Sequence, residues 1–261
     1  MKRYERYKIV ILVLSAVVIV ESALLMQVWR GRTRKVPELA VAIKGKIAIV
    51  VDDWGYNLNN LHILEEIKYP LSLSVLPNLP YSRHLAEKLG RRGFEIILHL
   101  PMEPYERVRL EEDTIMTSMD EPAIVNIIDR DLAGAPYICG VSNHMGSKAT
   151  GDSKTVSIIF RELKKRGLYF LDSFVSAKSI CADVAGKMQL SFARRDIFLD
   201  NKDNPVYIRK QIQKLKAKAN IYGQAIGIGH NRKATLEALK EIMPIIEKEG
   251  YKFVFISELV R

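Results

Sequence analysis

The sequence predicts an α/β protein whose parallel strands form a deformed (β/α) barrel of about seven to eight strands, preceded by one N-terminal transmembrane helix or signal segment. Two observations support this prediction. Short runs rich in Ile and Val alternate with amphipathic segments whose apolar residues recur every three or four positions. Glycines follow several of the amphipathic segments, as is common at helix ends. Such alternation is typical of a parallel sheet covered by helices.

The predicted elements begin at residue 46. Strands are expected at 46–51, 71–75, 94–98, 137–141, 168–171, 190–193, 224–228 and 252–256. Helices are expected at 57–67, 81–89, 121–132, 153–166, 205–219 and 233–248. Because most pairs of strands are separated by a helix, a closed or deformed barrel fits the pattern.

Residues 1–36 are predicted to be a membrane anchor or signal segment with basic flanks. The apolar stretch 9–29 has about 20 residues, the length needed to cross a bilayer. We expect an uncleaved anchor and an exported domain, on the extracytoplasmic side of the cytoplasmic membrane in the cell envelope. A cleaved leader and a secreted protein are the alternative. A linker at 37–45 would join this segment to one catalytic domain at 46–261.

The positive charge of the chain is concentrated near its start. Forty Lys and Arg against 30 Asp and Glu give a net charge of +10, and residues 1–36 contribute +6 through eight basic and two acidic residues. The remaining chain carries only about +4 and shows no basic motif interleaved with aromatic residues. We therefore expect the membrane as a partner, through the N-terminal segment, and no nucleic acid. The oligomeric state is left open.

Chemically active side chains follow several predicted strands. Asp52 and Asp53 close the first strand, where adjacent carboxylates raise each other's pKa unless a cation or a proton transfer uses them. A solvated loop start is the alternative for this pair. Because the carboxyl ends of parallel strands share one face, residues at other strand ends should lie nearby. These are His99, Asn143, His144, Asp172, Asp200 and His230, whereas the other two histidines, His62 and His84, lie within predicted helices.

This set of residues predicts a metal centre. Imidazole and carboxylate groups together suit a divalent ion such as zinc. We predict Asp53, His99 and His144 as its ligands, which leaves one position open for water. Asp52 would then act as a base and His230 as a proton donor in a metal-assisted hydrolysis.

At these positions the sequence resembles the divergent polysaccharide deacetylases, a branch of the NodB-like carbohydrate deacetylases. The resemblance covers the domain from residue 46 onward and rests on the segments 50–55, 73–77, 99–104, 141–147, 170–173, 196–201 and 225–230. It implies a deformed (β/α) barrel that removes N-acetyl groups from a carbohydrate polymer. It also implies that Asp52 is the base, that Asp53 and His99 bind the metal, and that His230 protonates the leaving amine.

The sequence departs from the ordinary deacetylases at the second metal histidine, which in that family follows the first within one short turn. No histidine follows His99 at that spacing. Either His144 enters from the next strand end, or Glu103 substitutes, or the metal is held weakly; we expect His144. The family's Arg-Pro motif, which holds the base, is also not evident, and Arg194 or Arg195 would supply such a charge.

Five further residues are expected to support the site or bind substrate: Asp172, Asp200, Trp54, Asn143 and Arg195. The leading hypothesis is a metal-dependent hydrolase that removes N-acetyl groups from an N-acetylated glycan of the cell envelope. Two alternatives remain. One is a weak or inactive barrel that binds a glycan or an envelope partner. The other is a glycoside hydrolase that pairs Asp52 with Asp172 or Asp200 at a separation of about 5–9 Å.

Overall fold

The computed structural model describes residues 2–32 and 43–261, in two units that are described separately. The first is helix α1 (Lys2–Arg32), in which Tyr7–Gln27 has a mean hydropathy of 2.8. At 1.5 Å per residue this stretch extends about 31 Å, close to the thickness of a bilayer's hydrocarbon core. The helix is therefore long and apolar enough to cross a membrane, a property shared with signal sequences. Residues 33–42, with most of the predicted linker, lie outside the described residues.

The second unit runs from Ile43 to Arg261 and alternates strands with helices. Its strands are β1 (Gly45–Trp54), β2 (Ser72–Val75), β3 (Glu95–Met102), β4 (Ile138–Met145), β5 (Tyr169–Asp172), β6 (Phe192–Arg194), β7 (Ile197–Phe198), β8 (Gln224–His230) and β9 (Tyr251–Val254). Its helices are α2 (Leu61–Glu66), α3 (Ser82–Arg91), α4 (Glu121–Gly134), α5 (Ser153–Lys165), α6 (Cys181–Met188), α7 (Pro205–Tyr222) and α8 (Lys233–Lys248).

The strands form one parallel sheet that curls into a half-barrel. Their order is β6-β5-β4-β3-β2-β1-β8-β7, and β9 also pairs with β1. Within the described residues all pairings between these strands are parallel. The predicted fold class is therefore confirmed. The described chain has nine strands because the region predicted as one strand near residues 190–193 is followed by a separate two-residue strand, β7.

Side chains along β1 alternate between the inside and the outside of the half-barrel. Ala48 and Val50 belong to the interior cluster, whereas Ile47 and Ile49 pack with the helices on the outer face. Burial on both faces explains why β1 is apolar almost without interruption. Because the side-chain period of a strand is two residues, the same alternation places Asp52 on the interior side at the carboxyl end.

Polar caps begin several helices close to their predicted starts. Asp120, Asp152 and Asn204 each accept a hydrogen bond from a backbone N–H three residues further along, which satisfies a donor that the first helical turn leaves unpaired. Helix α6 was not predicted. It has only eight residues, too few to show a clear three- and four-residue repeat.

Candidate metal centre

The end of β1 presents two adjacent carboxylates at the rim of the half-barrel. The register between β1 and β2 shifts between Val51 and Trp54, and Asp53 within this irregularity has a φ of 64°. The left-handed conformation is uncommon for a residue with a side chain and is concentrated at functional sites. Both carboxylates approach the same imidazole, because Oδ2 of Asp52 lies 3.7 Å and Oδ1 of Asp53 lies 3.4 Å from His99 Nε2.

Strands β3 and β4 bring two histidines to Asp53. Its Oδ1 lies 3.4 Å from His99 Nε2 and 3.3 Å from His144 Nδ1. The two imidazole rings meet edge to face, with their centroids 4.9 Å apart. One ligand atom from each of the three residues lies within 4.8 Å of the other two. The structure therefore brings together the three residues predicted as metal ligands.

Unpartnered polar atoms surround this cluster. Within the described residues, Asp52 Oδ1, Asp53 Oδ1 and His144 Nε2 are buried and have no partner in hydrogen-bonding geometry. Buried polar atoms are rarely left unpaired, so a group of them indicates a place for a ligand. Two imidazoles and one carboxylate form a donor set that suits a borderline divalent ion. The residues present therefore fit a metal ion.

The two adjacent carboxylates differ in their affinity for protons. Burial would raise the pKa of Asp53, but the imidazoles of His144 and His99 outweigh it and hold that pKa well below its ordinary value. At Asp52 burial dominates, and its pKa is raised despite the nearby His99. One carboxylate thus stays ionised, as a metal ligand must, while its neighbour binds protons more readily, as a base must.

His230 faces Asp53 from the end of β8. Its Nε2 lies 3.9 Å from Asp53 Oδ2, and its Nδ1 lies 2.9 Å from Asp200 Oδ1. Asp200 also accepts hydrogen bonds from the His230 backbone N–H and the Thr235 hydroxyl. Burial would lower the pKa of His230, but Asp200 and Asp53 together raise it. Gly229 permits this packing, because a Cβ there would lie 2.9 Å from Thr235 Cγ2.

Arg195 holds the loop that follows β5. Its guanidinium donates to the backbone oxygens of Ser173 and Phe174, at 2.6 and 2.8 Å. Burial lowers its pKa, and the charges of Asp172 and then Asp52 act in the opposite direction. Arg194 instead lies over the Phe174 ring, 4.5 Å from its centroid. The described hydrogen bonds of the Arg195 side chain therefore go to this loop.

Asp172 and Asn143 support the same loop. Asp172 accepts hydrogen bonds from the Phe174 backbone N–H and the Ser179 hydroxyl, and burial raises its pKa. Asn143 accepts a hydrogen bond from the Ser173 backbone N–H. Both side chains are buried, so they act by holding backbone in place near the rim.

The packing argues against three of the expectations from the sequence. Trp54 is 0% exposed and belongs to the core between β1 and the helices, so it cannot contact a substrate. Glu103 accepts a 2.6 Å hydrogen bond from Lys148 and lies outside the histidine cluster. Asp172 and Asp200 are buried with both oxygens in hydrogen bonds, so neither is free to serve as the second carboxylate of a glycoside hydrolase.

Sequence reasoning missed two serines behind the cluster. Ser142 Oγ lies 2.8 Å from His99 Nδ1, and Ser74 Oγ lies 2.6 Å from Ser142 Oγ. A signal was available in the sequence, because each serine is a polar residue at an interior position of a largely apolar strand. The alternation of side chains along β2 and β4 identifies those interior positions.

Comparisons with known proteins support the resemblance. The family model described as divergent polysaccharide deacetylase matches residues 49–260. The uncharacterized protein YibQ of Escherichia coli K12 is 33% identical over 201 residues, which cover 77% of this chain and 63% of that protein. The crystal structure of the uncharacterized protein ATU2773 from Agrobacterium tumefaciens has a TM-score of 0.80 at 23% identity and covers 83% of this chain and 89% of that one.

A third comparison is more distant. The catalytic domain of a peptidoglycan N-acetylglucosamine deacetylase from Eubacterium rectale has a TM-score of 0.51 at 13% identity, covering 80% of this chain and 87% of that one. At such identities the solved structures bear on the fold alone, and the fold they share is the curled parallel half-barrel of NodB-like carbohydrate deacetylases. Because the family model matches most of the length of this chain, the chain belongs to the divergent polysaccharide deacetylase family.

Proposed function

We propose that this protein is a metal-dependent hydrolase that removes N-acetyl groups from a carbohydrate polymer of the cell envelope. The observation that carries the proposal is the meeting of Asp53, His99 and His144, whose ligand atoms lie within 4.8 Å of one another. Membership of the family supports a carbohydrate substrate.

Asp53, His99 and His144 would hold the ion, and we propose zinc, which accepts this mixture of nitrogen and oxygen ligands. When bound, a divalent ion supplies Lewis acidity, which polarises the acetamide carbonyl and lowers the pKa of a water molecule to about 7.

Asp52 would take a proton from the attacking water. Its raised pKa makes it a stronger base than an ordinary carboxylate, and its Oδ1 has no partner among the described residues. The water oxygen forms a bond to the acetyl carbon, and the bond from that carbon to nitrogen breaks. His230 gives its Nε2 proton to the leaving nitrogen, while Asp200 holds its Nδ1. The products are acetate and a free amine on the sugar.

We further propose that α1 anchors the protein in the cytoplasmic membrane, with the half-barrel on the extracytoplasmic side. The hydropathy of Tyr7–Gln27 supports this placement, and envelope glycans are accessible from that side. Peptidoglycan is the first polymer to test, because the Eubacterium rectale neighbour is named for its N-acetylglucosamine.

Two measurements on the purified full chain test the proposal: divalent metal content, and acetate release from N-acetylglucosamine oligomers and peptidoglycan fragments. We expect a stoichiometric divalent ion and measurable acetate in the wild type, and the loss of both in His99→Ala. His84→Ala is the matched control, because His84 is exposed on α3. Absence of both ion and acetate from the wild type would refute the proposal, and glycan binding without acetate release would favour the inactive binding barrel.

A further inference from the structure

A buried line of hydrogen-bonding groups runs behind His99, away from the face that meets Asp53. His99 Nδ1 lies 2.8 Å from Ser142 Oγ, which lies 2.6 Å from Ser74 Oγ. Both serines are 0% exposed and His99 is 3% exposed. The line therefore leads from a proposed metal ligand on β3 to a buried hydroxyl on β2.

We propose that Ser142 and Ser74 are positioning residues that form a hydroxyl relay, which holds the His99 ring with its Nδ1 proton donated to Ser142 and leaves Nε2 free for the metal. This inference rests on the proposed function, because it assigns Nε2 of His99 to the metal. It adds two residues to the site, neither of which touches the ion or the substrate.

The direction of the relay follows from counting protons. A histidine that binds a metal through Nε2 carries its proton on Nδ1, which must then donate. Ser142 accepts that hydrogen bond and has one proton left, which it donates to Ser74. Ser74 accepts that hydrogen bond through its own oxygen. In the opposite direction Ser142 would donate to Nδ1, and the proton on Nε2 would block the metal.

The curl of the sheet makes this contact between the serines possible. Ser74 lies on β2 and Ser142 on β4, on either side of β3, where Ile97 and His99 are their respective register partners. Two strand spacings amount to about 9.6 Å in a flat sheet, too far for two serine side chains to meet. On the concave side of a curled sheet the side chains converge, and the two oxygens reach 2.6 Å.

Ser72 provides a matched control. It lies two residues before Ser74 on the same strand and face, it is also 0% exposed, and its hydroxyl is also hydrogen-bonded, to Glu95. Replacing it with alanine removes a buried hydroxyl from the same interior without touching His99.

The deciding measurement is the protonation and exchange rate of His99 Nδ1, by nitrogen-15 NMR of histidine-labelled, zinc-loaded full-length protein. With five histidines in the chain, the ring signals can be assigned by substitution. We expect a proton on Nδ1 that exchanges slowly in the wild type, in Ser72→Ala and in Ser142→Thr, and rapidly in Ser142→Ala. An unprotonated Nδ1 in the wild type, or equal exchange in Ser142→Ala and Ser72→Ala, would overturn the relay.

Zinc affinity, measured by competition with a chromogenic chelator, gives a second readout. Outer-shell partners of metal ligands typically contribute about 10–100-fold in affinity, so we expect that loss in Ser142→Ala and recovery in Ser142→Thr. Equal affinities of Ser142→Ala and Ser72→Ala would count against the relay. If the wild type binds no zinc, the proposed function and the relay both fail. A wild type that binds zinc and releases acetate but has an unprotonated His99 Nδ1 would overturn the relay alone.

Discussion

Two polar groups occupy opposite ends of the same barrel interior, and they differ in how fully they are partnered. At the amino end of β3, Glu95 accepts hydrogen bonds from the hydroxyls of Ser72 and Tyr169, at 2.7 and 3.0 Å, and from the Ser257 backbone N–H at 3.3 Å. At the carboxyl end, within the part of the chain that the structure describes, Asp53 Oδ1 and His144 Nε2 remain unpartnered.

The two groups share strands β2 and β3. Glu95 and His99 both lie on β3 and face the interior, as do Ser72 and Ser74 on β2. A complete set of hydrogen bonds stabilises the fold, whereas an incomplete set of buried donors and acceptors lowers stability until a ligand completes it. The group around Glu95 (the lower group) therefore has its hydrogen bonds completed, whereas the group around Asp53 and His144 (the upper group) leaves buried polar atoms unpartnered. In barrels of this kind the amino-terminal face usually serves stability and the carboxyl-terminal face usually carries function.

The largest expected effect comes from removing one of the proposed metal ligands in the upper group. His144→Ala should weaken zinc binding by more than the roughly 100-fold that outer-shell changes cause, and acetate release should fall to background. Zinc competition and an acetate assay would measure this. In Glu95→Gln, the matched change in the lower group, zinc affinity should stay at the wild-type value. Wild-type zinc affinity in His144→Ala would remove that residue from the ligand set.

Asp52→Asn should separate binding from catalysis within the upper group. Loss of a general base typically lowers kcat by about 10²–10⁴-fold, and zinc affinity should change little because Asp53 is retained. The thermal midpoint should be unchanged or higher, because a buried charge beside a like charge is removed. A kcat near the wild-type value would assign the role of base to another residue.

Glu95→Ala should show the opposite pattern. It leaves the hydroxyls of Ser72 and Tyr169 without their acceptor, and each buried group left unpaired costs about 1–3 kcal/mol. Urea denaturation should detect the loss of stability, while kcat of the folded protein should not change. A fall in kcat with unchanged stability would contradict the division between the two groups.

Asp200→Asn should change the pH dependence of activity. Asp200 helps to raise the pKa of His230, so the wild type keeps the donor protonated to higher pH. Without that carboxylate the pKa falls, and the alkaline limb of kcat/KM should move to lower pH by about 1–3 units, the usual effect of a nearby opposite charge. A rate–pH profile with an unmoved alkaline limb would exclude His230 as the proton donor.

The smallest effect is expected at Asp131 on α4, whose Oδ2 also lacks a partner among residues 2–32 and 43–261. Burial, and then the charge of Asp113, raises its pKa from 3.8 to about 7. Its proton therefore stabilises the fold below about pH 4, and this contribution is lost as the pH rises through about 7.

Asp131→Asn should remove this pH-dependent loss of stability. The thermal midpoint of the wild type should fall relative to the variant between about pH 4 and pH 8. The pKa shift from 3.8 to about 7 corresponds to at most about 4 kcal/mol. We therefore expect a difference of at least about 2–4 °C, which corresponds to about 1 kcal/mol in a domain of this size. If the thermal midpoints of the two proteins changed equally with pH, the unpaired oxygen of Asp131 would not be explained by a bound proton.

Much of the fold was predictable because strand and helix patterns are local. Helix α8 has the predicted bounds, 233–248, and each of the eight predicted strand regions contains a strand. The positions of His99, His144 and His230 followed from one rule, that parallel strands end at a common face. Membership of the family was also predictable from the ordered motifs, and it is confirmed.

Other features depended on contacts between distant segments. After the irregularity that follows Val51, the Asp53 side chain lies in the site and the Trp54 side chain lies in the core. No local sequence pattern predicts which of the two side chains faces the site. Glu103 was a plausible ligand by chain position, but its carboxylate is taken by Lys148, 45 residues away.

By itself the sequence determined which residues stand at strand ends, because the alternation of side chains has a fixed period of two and a strand's end is marked locally. Only the tertiary structure decided that Asp52 lies in register with His230, 178 residues further along, and that Ser74 reaches Ser142 across β3. These contacts depend on strand order and on how far the sheet curves, and both are set by the packing of the whole domain.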